Sequence, residues 1–75
     1  MYGEYVQVGQ TFNGGVLMNR LAKAVPGDII QISLWQFKDY WTVTVDDGAH
    51  IYGATNMFYS EVEAQNAYAV KCRSF

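Results

Sequence analysis

Few residues of this 75-residue chain have types that could carry out chemistry: one histidine, His50, one cysteine, Cys72, and the carboxylate pairs Asp46/Asp47 and Glu61/Glu63. A nucleophilic Cys72 would need a base to draw off its proton, and His50 is the sole imidazole in the chain. A lone cysteine late in a helix reads instead as a small residue at the edge of a core. A zinc-type site needs several converging ligands, usually more than one His or Cys. Asp46 and Asp47 stand directly before Gly48, where acids form turns. Glu61 and Glu63 suit the first turn of a helix, whose dipole favours negative charge. Gly14-Gly15 is a fragment of a phosphate-cradling loop without the lysine and hydroxyl that complete one. The expectation is a protein that is not an enzyme, with no cofactor and no metal site.

The elements that would position any functional residue come from periodicity and punctuation. Residues 4–12 carry strand character through Tyr5, Val6, Val8, Thr11 and Phe12, ended by Asn13-Gly14-Gly15. Leu17, Leu21, Ala24 and Val25 then recur at helical spacing, with Asn19, Arg20 and Lys23 on the other side. This predicts a short amphipathic helix capped by Asn13 and stopped by Pro26-Gly27. Residues 28–37 and 40–45 alternate as strands, and only Lys38-Asp39 separates them, which predicts a tight hairpin.

Pairing Phe37 with Tyr40 fixes the hairpin register, because opposed residues share a face. Ile30, Ile32, Leu34, Trp41, Val43 and Val45 then form a core face, and Gln31, Ser33, Thr42 and Thr44 lie on the other. Three aromatics near the turn, Trp35, Phe37 and Tyr40, join that second face. A further strand is expected over residues 50–57. Ser60-x-x-Glu63 is a capping box that opens a helix reaching about Cys72, with Ala64, Ala67 and Tyr68 on one apolar stripe. The expected fold is one α+β domain over residues 1–75. It has an antiparallel sheet of three to four strands and two helices on one face, in the order β-α-β-β-β-α.

Residues 40–72 resemble the second half of the double-stranded-RNA-binding domain, which ends in two strands, a small-residue turn and an alanine-rich helix. Ser60, Glu63, Ala64, Asn66, Ala67 and Ala69 match that helix. The lysines by which the family meets phosphates fall here on Glu61, Val62 and Gln65, and its histidine-bearing loop is reduced to Lys38-Asp39. The resemblance implies a shared fold, and duplex-RNA binding only as an alternative function.

Composition narrows the partners. Five Lys and Arg against seven Asp and Glu leave a formal charge of −2, with no basic stripe for a phosphate backbone. No apolar run approaches the roughly 20 residues that span a bilayer. The N-terminus lacks the pattern of a secretory signal, and a single cysteine suits a reducing, cytoplasmic setting. Aromatic residues make up 16% of the chain, and Trp and Tyr dominate binding hot spots. Trp35, Phe37 and Tyr40, with Lys38 and Asp39 at the turn, are therefore the expected partner-binding residues. Two outcomes stand open: an exposed aromatic face, or one covered by the N-terminal strand or Phe75. The expected function is a small non-catalytic module that binds another protein or a second copy of itself. In type it resembles the accessory and inhibitory proteins of phages.

Overall fold

A computed structural model of the chain describes residues 6–46, 51–52 and 57–74. Its elements are β1 (Thr11–Phe12), β2 (Gly15–Val25), β3 (Asp28–Gln36), β4 (Trp41–Asp46), β5 (Ile51–Tyr52) and α1 (Glu61–Ser74). The strands form one antiparallel meander in the order β1-β2-β3-β4-β5. The fold is α+β, with one helix, after the strands, among the described residues. The segment expected to be the first helix is β2, the longest strand, at 11 residues.

Turn chemistry decides that difference. Asn13 and Gly14 both take positive φ, 51° and 83°. They form the two-residue loop between β1 and β2, and positive φ at both central positions is what an Asn-Gly hairpin turn requires. Pro26-Gly27 is a second two-residue turn, with Gly27 at φ 82°, and it closes the Val25–Asp28 pair. A segment bracketed by two hairpin turns must be a strand.

The helical spacing has its own cause. The β2–β3 register shifts between Leu17, opposite Trp35, and Asn19, opposite Leu34, which leaves Met18 as the extra residue of a β-bulge. The bulge puts Leu17 on one face and Leu21 on the other. Apolar residues four apart on opposite faces imitate the i, i+4 pattern of a helix. The expected first strand shrinks to β1, because Gly9, at φ 94°, turns the chain before it. Of the strand expected over residues 50–57, Ile51–Tyr52 is present, Phe58 follows as an isolated bridge to Trp41, and residues 50 and 53–56 lie outside the described residues.

The β3–β4 hairpin has the expected register. The Phe37 N–H donates to the Tyr40 carbonyl (2.8 Å), and Gln36 to Gln31 pair in order with Trp41 to Asp46. Ile30, Ile32, Leu34, Val43 and Val45 form the core with the fully buried Ala64 of α1. Val25, Trp41, Phe58, Ala67, Tyr68 and Cys72 pack around it. Alanine at Ala64 lets the helix approach the sheet closely. The Ser60 hydroxyl accepts the Glu63 N–H (3.4 Å) at the N-terminus of α1, and Lys23 Nζ donates to the Cys72 carbonyl (2.8 Å) near its other end. Val62 and Val70 are exposed, so the stripe of Ala64, Ala67 and Tyr68 is the one that packs.

Candidate binding surfaces

The sheet face away from α1 carries Trp35, and there the sequence expectation needs its main correction. Trp35 is 0% exposed, so it is an internal residue and not a contact for a partner. Its indole Nε1–H donates to Thr44 Oγ1 (2.9 Å) on the neighbouring β4, two residues along from Thr42, the residue directly opposite Trp35. The Phe12 ring lies 6.0 Å away, and the Arg20 guanidinium stands over the indole at 5.6 Å, within cation–π range. Arg20 is pinned by its Nε–H to Ser33 Oγ (2.9 Å) and by Nη1 to the Val6 carbonyl (3.3 Å). Burial lowers the Arg20 pKa, opposed by the attraction of the Asp46 carboxylate. Ser33, Thr42, Thr44 and Asp46 are buried on this face as well. Of the two outcomes left open for this face, the covered one holds around Trp35, with the Phe12 ring of β1 beside it, and the face is a second interior.

Phe37 and Tyr40 sit at the hairpin tip on that same face, half-buried and stacked on each other (4.8 Å, 10°). The Phe37 ring also rests on Gly15, where a Cβ would come within 2.7 Å of it. Lys38 and Asp39 are exposed at the turn. Four of the five expected partner-binding residues thus remain together at the tip, without the tryptophan between them.

The face toward α1 offers what the sequence did not suggest. One helix cannot cover a whole sheet. It lies along β3 and β4 and meets β2 through Lys23 and Val25. Toward the tip it leaves a groove of about 370 Å³ lined by Met18, Asn19, Leu34, Trp41, Gln65 and Tyr68. Met18 and Leu21 are 38% and 41% exposed beside it. Burial, then a hydrogen bond to the Cys72 side chain, pushes the Tyr68 hydroxyl up to about 12, so it stays protonated in neutral solution. The groove lies on the rungs next to the Phe37–Tyr40 pair, so groove and tip share one end of the sheet. The signal for it was the Asn-Gly and Pro-Gly pair around residues 15–25, which removes the helix that would have filled this space.

Among the described residues the chemistry-bearing side chains are not brought together. Cys72 is half-buried near the C-terminal end of α1, packed against the core. Asp46 lies on the Trp35 face, while Asp47 and His50 lie outside the described residues. Among the described residues no three His, Cys, Asp or Glu side chains could jointly hold a metal ion, and no helix is long and apolar enough to cross a membrane. Compared with protein-family models, curated proteins and solved structures, the chain finds no match.

Proposed function

We propose that this is a small non-catalytic module that binds another protein at the end of the sheet where the groove and the β3–β4 tip meet. The observation that carries the reading is the uncovered stretch beside α1. There, exposed Met18 and Leu21 flank a recess with an aromatic wall, Trp41 and Tyr68, and two amides, Asn19 and Gln65. Such a mixture fits a protein contact, in which an apolar anchor enters a pocket and a few polar groups fix its orientation. Lys38 and Asp39 supply a charged rim of both signs, and the stacked Phe37–Tyr40 pair gives the tip a rigid apolar body. The net charge of −2 favours a protein over a phosphate backbone.

The test is affinity capture from the source cell with the whole chain as bait, after nuclease treatment. The comparison bait carries Met18→Asp and Tyr40→Ala, one change at the groove and one at the tip. The expected result is a discrete protein partner retained by the wild type and lost with the variant, whose circular dichroism stays unchanged. Retention of the same proteins by both baits would refute the surface. Duplex RNA captured in their place, in a salt-sensitive manner, would favour the nucleic-acid alternative.

A further inference from the structure

The outer side of α1 carries an order that packing on the sheet does not require. At 3.6 residues per turn, Ala64, Ala67, Tyr68 and Cys72, which meet the core, fill one side of the helix. Val62, Asn66 and Val70 stand at i, i+4 and i+8 along the opposite side, with Asn66 on its midline. All three are exposed, Val62 at 66% and Val70 at 51%. Both valines are β-branched, with lower helix propensity than the Lys, Glu or Gln that would serve an exposed helical position. A single exposed apolar residue is ordinary on any surface. These two are placed symmetrically, four residues either side of an asparagine.

Charge follows the same symmetry with opposite sign. The first turn of α1 carries Glu61 and Glu63, and the last turn Lys71 and Arg73. Within one chain each pair stabilises its own end of the helix dipole. Glu63 and Arg73 are also exposed, and between copies the same arrangement is complementary to itself when reversed. Turned end for end, a second helix brings its basic turn to the acidic turn of the first, whereas a parallel copy would set acid beside acid. A twofold interface needs this property, because one surface patch must fit itself.

We infer that α1 packs antiparallel against α1 of a second copy of the chain, about a twofold axis at Asn66. This goes beyond the groove reading and does not depend on it, since Tyr68 of the groove lies on the inner side of the helix. In this register Val62 of each copy faces Val70 of the other, in two equivalent layers. The two Asn66 side chains meet on the axis. Each amide both donates and accepts, so the pair exchanges hydrogen bonds, and slipping the helices would set amide against valine. Glu63 of one copy comes within reach of Arg73 of the other. Tyr59, exposed just ahead of the helix, lies as far before Asn66 as Arg73 lies after it, so ring and guanidinium meet at each end. Two helices of 14 residues, each about 21 Å long, make a contact at the small end of protein interfaces. The dimer is therefore one of high micromolar affinity.

The experiment is sedimentation equilibrium of the whole chain from micromolar to millimolar concentration. The wild type is expected to approach twice its 8.5 kDa mass at the upper end. Val62→Glu and Val70→Lys each set a charge against a valine of the other copy, and each is expected to stay monomeric throughout. An acid near the helix N-terminus and a base near its C-terminus both suit the dipole, so circular dichroism is expected to match the wild type. The equimolar mixture of the two variants tests the register. Position 62 of one copy faces position 70 of the other, so the mixture is expected to dimerise where neither variant does alone. In a parallel pair the same mixture would set each charge against a valine and remain monomeric. A wild type monomeric at every concentration, a dimer that survives both single changes, or a mixture that fails to associate would overturn the pairing.

Discussion

The two faces of the sheet are both buried, by different means. Toward α1 the interior is aliphatic, with Ile30, Ile32, Leu34, Val43 and Val45 packed against Ala64. On the other face the interior is polar at nearly every position of β3 and β4, and one tryptophan organises it. Apolar burial asks only for volume and contact, and a helix supplies both. A polar interior has to satisfy its groups one by one, because an unmade hydrogen bond in a buried site costs more than a made one gains. That is why the second face depends on particular partners: Trp35 on Thr44, Arg20 on Ser33 and Val6. The first face tolerates an open groove at its margin. The second is held together by specific bonds around Trp35.

Trp35→Ala is expected to have the largest effect, a loss of about 3–5 kcal/mol, the same range as truncating a large residue in an aliphatic core. Denaturant unfolding of this variant beside Leu34→Ala would show whether the faces carry equal weight. A loss below about 1 kcal/mol, the scale of an ordinary surface change, would place Trp35 at the surface and break the comparison.

Arg20→Met follows, keeping the apolar stem while removing the guanidinium. It gives up the bonds to Ser33 and Val6, the contact with the indole and the charge facing Asp46, for an expected cost of about 2 kcal/mol. The comparison sharpens if the Trp35 fluorescence of the folded variant shifts as well, since the cation stands over that ring. An unchanged stability and spectrum would leave Arg20 as a surface residue.

The sequence made one half of this arrangement readable and obscured the other. The β3–β4 hairpin was legible because strict alternation and a two-residue turn leave one register, and the core face follows from it. The helix from Glu61 was legible through Ser60 and Glu63. β2 was not, because the bulge at Met18 breaks its alternation and sets Leu17 and Leu21 four apart on opposite faces. The Asn-Gly turn was present in the sequence, but beside a helix-like spacing it served equally as a cap. Burial of the polar face could not be read from alternation at all. Ser33, Thr42 and Thr44 look like solvent-facing residues until a tryptophan and an arginine close over them. The groove was hidden for the same reason as β2, since it exists only where the expected first helix is missing.

The most direct test of Trp35 as the centre of a second interior is hydrogen exchange of the two indole N–H protons by NMR. Trp35 Nε1–H is bonded to Thr44 inside the fold, whereas Trp41 stands half-buried at the groove. The expected result is one indole proton, assigned to Trp35, that exchanges only on the scale of global unfolding, with the Trp41 proton exchanging far faster. Rapid exchange of both indole protons in the folded protein would contradict a buried Trp35 and return the aromatic face to the surface.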